Sequence, residues 1–228
     1  MVLLVDERTI GEAWTKSIST VLQNGEKHFD EDVSMLEIRQ GLAITVRCPD
    51  PKDAIIETWG DPSIISRMLK KFSRGAKMAD RPFTYGHLIY DKNGIDQFDW
   101  IVNRIKMKPE TKSATISLLS ERYNYINLPC LVTLDAKLRK DALDLHFMFR
   151  SQNIYGRQYA NLLALVALQT NLAKELSCSI GLLSGYISSP HIYDYDLKDA
   201  EKLIGGSYFK NVDRFYSHGP RSIRGGYK

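Results

Sequence analysis

No stretch of this chain stays apolar for long enough to cross a bilayer. Its first residues, MVLLVDERT, lack the basic start and the apolar length expected of a secretory leader. Cysteine is scarce as well. Cys48, Cys130 and Cys178 form an odd, widely spaced set, which argues against a disulfide framework and against a zinc site. His28, His87, His146 and His218 show no ligand spacing, so no metal centre is expected. Neither sign of charge is in large excess. The net charge of +4 is too small to imply a nucleic-acid partner, although it suits an anionic substrate. Internal repeats and low-complexity stretches are absent. What is left is the composition of a globular protein from a reducing, cytoplasmic setting, with no membrane partner expected. A length of 228 residues fits a single domain over 1–228, with the Gly- and Arg-rich end, about 214–228, expected to be poorly ordered without a ligand.

Hydrophobic spacing divides what is there. In 7–24, Ile10, Trp14, Ile18 and Leu22 recur at helical spacing, and Gly25 stops the run. Residues 34–48 read as a strand or a hairpin, and Asp61-Pro62 opens a short helix to about Phe72. The next segment, SRGAKMADRPFTYGH, has the glycine, proline and scattered charges of a loop able to cover a ligand. Residues 95–108 place Ile95, Phe98, Ile101, Val102 and Ile105 on one helical face, ended by Pro109. ATISLLS, PCLVTLDAKL and ALDLHFMFRS then suit three neighbouring strands. The run 157–176 is apolar nearly all round at its centre, so a buried central helix is expected. SCSIGLLSGYISSPHIYDYDL reads as one strand ending at His191 and Tyr193, before a short helix from Leu197 to Ile204. Helices and strands mix without regular alternation, and the expected class is α+β.

Chemistry concentrates around Cys130. A thiolate is a soft, strong nucleophile suited to conjugate addition on an unsaturated ring. A cysteine taken alone is most often a small buried hydrophobe, the reading kept for Cys48 and Cys178. Arg150 and Ser151 end the next apolar strand, and a guanidinium fork beside a hydroxyl makes a phosphate seat; a surface ion pair is the competing reading. Asn161 lies inside the apolar helix, where a buried amide needs hydrogen bonds, either to a loop or to an edge such as the O4 and N3–H of uracil. His191 and Tyr193, two apart on a strand, face the same side, and both can bond a sugar hydroxyl; a half-buried aromatic pair is the bland alternative.

Taken in order, Tyr85-Gly86, the turn PETKSATIS, the Pro129-Cys130 pair, Arg150-Ser151, Asn161 eleven residues later and the HIY triplet ending at Tyr193 resemble thymidylate synthase and its relatives, the pyrimidine-nucleotide hydroxymethylases. The likeness spans about 85–203, and the chain looks like their compact, archaeal-type form. It implies a mixed sheet packed against the long buried helix and a homodimer formed through that sheet. It also implies transfer of a one-carbon unit from methylenetetrahydrofolate, or a related pterin carrier, to carbon 5 of a pyrimidine nucleoside monophosphate. The simplest case is dUMP to dTMP, a methyltransferase step of nucleotide biosynthesis. Two alternatives stay open: 5-hydroxymethylation of CMP, dCMP or dUMP, and a non-catalytic nucleotide-binding relative.

The resemblance also assigns roles. Cys130 adds to carbon 6, Tyr85 helps remove the carbon-5 proton, and Arg150 with Ser151 holds the phosphate beside the thiol. Asn161 reads the base, and His191 and Tyr193 hold the sugar. Lys112 and Ser113 stand where the family has an arginine pair that reaches the phosphate from a second subunit. Asn153 stands at the aspartate of the family's RS-x-D pattern, which contacts the folate. The chain departs elsewhere too: Leu131 follows the cysteine in place of histidine, the N-terminal phosphate loop has no match, and no glutamate helix aligns, leaving Glu57 as an available carboxylate.

Overall fold

Leu162, Leu163, Leu165, Val166, Leu168 and Leu172 leave the middle of helix α6 (Ile154–Glu175) without a polar stripe, and all six are buried. The surrounding chain is organised by the need to cover that helix on every side. A computed structural model of the chain describes residues 1–30, 33–79, 83–119 and 128–205. Within them, β1 (Leu3–Glu7), α1 (Ile10–Asn24), β2 (Glu26–Asp30), β3 (Val33–Glu37), β4 (Leu42–Val46), α2 (Ala54–Trp59), α3 (Pro62–Phe72), α4 (Tyr85–Tyr90) and α5 (Gln97–Met107) precede the strands β5 (Thr115–Ser117), β6 (Leu131–Arg139), β7 (Ala142–Phe149) and β8 (Gln152–Asn153). After α6 come β9 (Ser179–Ile187), β10 (Pro190–Tyr193) and α7 (Leu197–Ile204). The fold is α+β with mixed sheets, as the sequence implies. The final expected segment, 214–228, lies outside the described residues.

The larger sheet has the order β1-β4-β9-β7-β6-β5 and the smaller one β2-β3-β10-β8. β7 and β9 run parallel. A parallel pair needs a long crossover, and α6 is that crossover. Gln169 fixes it to the sheet: its Nε2 donates to the carbonyls of Leu143 (2.7 Å) and Leu182 (3.0 Å). The three segments expected to be neighbours are so, with β5 antiparallel to β6 and β6 antiparallel to β7.

Two readings of the sequence change. Residues 34–48 are neither one strand nor a hairpin: β3 belongs to the smaller sheet and β4 to the larger. The stretch expected to be a single strand through His191 divides in the same way, into β9 and β10. Between β3 and β4 the chain turns at Gly41, whose φ of +75° suits glycine, and a Cβ there would meet the Tyr186 hydroxyl at 2.2 Å. The two divisions sit side by side, because Leu42 pairs with Ile187 and Glu37 with His191. Ile95 also leaves its assigned helical face. Asp96 caps α5 by accepting from Asp99 N, so Ile95 precedes the helix and is 60% exposed, while Phe98, Ile101, Val102 and Ile105 are buried.

Helix starts follow side-chain chemistry. Thr9 and Glu12 form a capping box at α1, and Asp61 caps α3 just before Pro62. Asp53 joins two starts. Its Oδ1 accepts from Ile55 N (2.9 Å) and Ile56 N (3.2 Å) of α2, and its Oδ2 from Gly11 N (2.7 Å) of α1. Asp53→Ala strands these donors in a site only 6% exposed. The expected cost is about 3 kcal/mol, or roughly 6–12 °C of Tm. Asp53→Asn, which keeps an acceptor, loses less; thermal melts of the two variants measure the difference.

Candidate active site

The end of β7, the start of β6, the start of α6 and the start of β10 meet at one corner of the molecule. β7 and β9 remain joined past their last residues. Ser188 N donates to Phe149 O (2.9 Å), and Gln152 N donates to Ser189 O (3.0 Å). Cys130 immediately precedes β6, is a free thiol and is half-buried. Cys178 is also half-buried, whereas Cys48 is exposed, so the buried-hydrophobe reading does not hold for Cys48.

Arg150 grips the chain that carries the thiol. Its backbone N–H donates to Cys130 O (2.8 Å), Nε donates to Pro129 O (3.2 Å) and Nη2 donates to Leu128 O (2.8 Å). Three consecutive carbonyls therefore take donors from one residue. Nε and one Nη2 hydrogen account for two of the five guanidinium N–H groups, and the exposed head presents the rest to solvent and to any anion. Ser151 follows, half-buried, at the junction with β8.

Tyr85 reaches the same corner from the opposite side. Thr84 caps α4 by accepting from His87 N (3.1 Å), and its own hydroxyl donates to Ala76 O (3.0 Å). This fixes the first helical residue, Tyr85, whose ring packs on Phe72 at 4.7 Å with the Lys71 ammonium over its face at 4.1 Å. The phenol oxygen accepts from Leu131 N (3.2 Å), the residue after the thiol. The segment expected to be a loop thus ends in helix α4; residues 80–82 of it lie outside the described residues.

Asn161 is 6% exposed, and its Oδ1 has no hydrogen-bond partner. His191 is buried in β10, and its Nδ1 lies 3.1 Å from Ser189 O. A carbonyl can only accept, so Nδ1 carries the proton. Burial pulls the imidazole below its ordinary range, which favours the neutral ring and leaves Nε2 as an acceptor for a hydroxyl. Tyr193 packs edge-on to His191 at 4.9 Å and stacks on Tyr195 at 5.2 Å. Burial raises the Tyr193 phenol, with further upward pushes from Asp30, Cys130 and Asp196, so Tyr193 lies within electrostatic reach of the thiol.

Asn153 has its amide engaged at both ends. As the cap of α6 it accepts from Gly156 N (2.9 Å), and its Nδ2 donates to Asp196 Oδ2 (3.1 Å). Its strand position pairs with His191. Burial raises the Asp196 carboxyl, with Asn153 and then Arg157 opposing the rise. Sequence reasoning passed over Asp196, although the acidic DYD triplet beyond HIY marked it. It also passed over Gln152 and Gln158, two buried amides whose side-chain N and O atoms have no partner. Lys112 is not brought to this corner by its own chain. Its carbonyl accepts from Lys137 Nζ (3.1 Å), and Lys137 is six residues along β6 from Leu131, about 20 Å away. Ser113 is held there too, accepting from Arg104 Nε (2.9 Å). Glu57 is exposed on α2.

Comparison with known proteins adds four findings. The family profile described as thymidylate synthase matches residues 55–211. A protein of Methanococcoides burtonii named "Putative thymidylate synthase" is 25% identical over 208 residues, covering 89% of this chain and 95% of its own. One of the same name from Methanothermobacter marburgensis is 26% identical over 216 residues, covering 88% and 96%. A deoxyuridylate hydroxymethyltransferase of Bacillus phage SP01 is 30% identical over 124 residues, covering 50% of this chain and 32% of its own.

Proposed function

Because the chain belongs to the thymidylate synthase family, we propose that it transfers a one-carbon unit from a methylenetetrahydrofolate-type carrier to carbon 5 of a pyrimidine nucleoside monophosphate, most simply dUMP to dTMP. The observation that carries this reading is the convergence of Arg150 and Tyr85 on Cys130 and its neighbours. Arg150 holds the carbonyls of residues 128, 129 and 130, and the Tyr85 hydroxyl holds the N–H of residue 131. A thiol fixed from both sides has the positional control that addition to a ring carbon requires.

In this reading the Cys130 thiolate adds to carbon 6, and the ring electrons move to carbon 5 and the C4 carbonyl. Carbon 5 then bonds the carrier's methylene as one of its two C–N bonds opens, and the carbon-5 proton leaves towards the Tyr85 side as the second C–N bond breaks, its electron pair staying on the carrier's nitrogen and an exocyclic methylene staying on the ring. Hydride from the carrier adds to that methylene as the thiolate is expelled, which restores the ring double bond and gives the methyl group. The remaining guanidinium N–H groups of Arg150, with Ser151, receive the phosphate. The Asn161 amide reads the base edge, Nε2 of His191 accepts from a sugar hydroxyl, and the Tyr193 hydroxyl bonds the sugar. Asn153 holds Asp196 at the border of the carrier's place, so the pair, rather than Asn153 alone, faces that co-substrate. A homodimer through the larger sheet is supported by its open face, where half-exposed Asp135, His146 and Ser184 form one cross-strand row and Met148 pairs with Tyr186. In such a dimer Lys112, remote from its own thiol, is available to a second copy.

The phage relative favours a second reading, 5-hydroxymethylation, in which water rather than hydride from the carrier completes the exocyclic carbon. Tritium release from carbon-5-labelled dUMP, UMP, dCMP and CMP, with and without methylenetetrahydrofolate, tests both readings, and product mass separates them. Release from none of the four, with nucleotide binding intact, overturns the enzymatic reading in favour of a binding protein. Asn161→Asp replaces a donor-acceptor amide with an acceptor-only carboxylate, which repels the uracil O4 and suits the cytosine amino group. The ratio of kcat/KM for dUMP over dCMP is expected to fall about 100-fold. An unchanged ratio removes Asn161 from the role of reader.

A further inference from the structure

One turn before Asn161 on the same helix, Gln158 is fully buried, and neither its Nε2 nor its Oε1 has a hydrogen-bond partner. Gln169, eleven residues further along α6, shows how such an amide behaves when it holds the fold together, since its Nε2 donates to the sheet carbonyls of Leu143 and Leu182. Eleven residues are three helical turns with about 20° to spare, so Gln158 and Gln169 share the sheet-facing side of α6, about 16 Å apart. That distance is roughly five strand residues. It carries the Gln158 level from Leu143 up β7 to the neighbourhood of Phe149, which pairs with Leu131 beside Cys130. Gln158 therefore lies under the thiol corner without being tied to it.

Its unmade bonds match those of its neighbour. Gln158 offers an unpartnered donor, and Asn161 an unpartnered acceptor at Oδ1, three residues apart on one helix and within side-chain reach. Which end of the Asn161 amide faces a bound base decides what that base must offer. With Oδ1 held by Gln158, Nδ2 faces outward as a donor, which suits the C4 carbonyl of uracil. With Nδ2 held by Gln158 Oε1, the acceptor faces outward, which suits the C4 amino group of cytosine.

We propose that Gln158 is the positioning residue that sets the orientation of the Asn161 amide when a nucleotide binds, and thereby governs discrimination between uracil and cytosine. The proposal rests on the pyrimidine-nucleotide reading given above. Gln158 does not need to touch the ligand; it acts through Asn161. Because its amide is unpartnered in the free protein, removing that amide is not expected to weaken the fold.

Gln158→Met keeps the volume and apolar stem of the side chain and discards both polar atoms. Calorimetric titration with dUMP and with dCMP measures discrimination without requiring turnover. The ratio of the two dissociation constants is expected to move towards unity by about tenfold, about 1.4 kcal/mol, while the Tm of the ligand-free variant stays level or rises. A ratio unchanged by the substitution overturns the proposal. So does a ligand-free Tm several degrees lower, or a variant that fails to fold, since either makes Gln158 a structural amide. If the wild-type chain binds neither nucleotide, the pyrimidine reading fails first and this inference falls with it. If it binds them without releasing tritium, only the catalytic reading is lost, and the ratio still decides the role of Gln158.

Discussion

Cys130→Ala is expected to abolish tritium release from carbon-5-labelled dUMP, by about 10⁴-fold or more, and to leave nucleotide binding nearly intact. Loosening of the carbon-5 hydrogen depends on prior addition at carbon 6, because the intact ring does not place a carbanion at carbon 5. No other cysteine substitutes: Cys48 and Cys178 adjoin different elements, the former after β4 and the latter before β9. In the proposed reading, binding draws on other groups, namely Arg150, Ser151, His191 and Tyr193, none of which needs the sulfur. Tm should also hold, since Cys130 is half-buried and its backbone carbonyl, which the substitution keeps, takes the bond from Arg150. Titration with dUMP beside the release assay checks both halves. Release within tenfold of wild type removes Cys130 as the attacking atom.

Arg150→Ala is expected to lower kcat/KM for dUMP by about 10³-fold or more, through two losses that separate by substrate. One loss is the phosphate seat. The other is the grip on Leu128 and Pro129 carbonyls, which holds the thiol's approach angle. Deoxyuridine, which has no phosphate, feels only the second loss, so the ratio of dUMP to deoxyuridine efficiency is expected to collapse in the alanine variant. Arg150→Lys restores a cation but not a fork able to reach two carbonyls and an anion together, and it is expected to recover binding more than turnover. A ratio of dUMP to deoxyuridine efficiency that stays at the wild-type value in both variants assigns Arg150 to the grip alone.

The elements easiest to read in the sequence were those whose limits are chemical. Asp61 before Pro62 and Gly25 after Asn24 mark helix ends within single residues, and the structure keeps them. Ile95 shows where periodicity misleads: it has the spacing of Phe98 and Ile101, but Asp96 caps the helix one residue later. The divisions of 34–48 and 179–193 were not legible, because β3 and β4, like β9 and β10, each look like continuations of one extended apolar run. Which sheet a strand joins depends on partners more than a hundred residues away, such as Ile187 for Leu42.

Of the candidate site, Cys130, Arg150, Tyr85, Asn161, His191 and Tyr193 stood out because each bears a functional side chain in a fixed order. The contacts that hold Arg150 did not, since a carbonyl acceptor leaves no trace in residue type. Asn153 carried a signal that pointed only at a ligand, while its cap at Gly156 and its bond to Asp196 depend on three-dimensional neighbours.

The paired crossings at Leu42–Ile187 and Glu37–His191 have a mechanical consequence. A single chain passing between two sheets is a swivel; two chains bonded side by side at the passage act as a pair of pins. The smaller sheet, with His191 and Tyr193, is therefore denied rotation about the larger one, in which Cys130 immediately precedes β6. In the proposed reading, the span from sugar to ring carbon is thus set by the frame of the protein, and a nucleotide arrives at a gauge already fixed rather than closing one around itself.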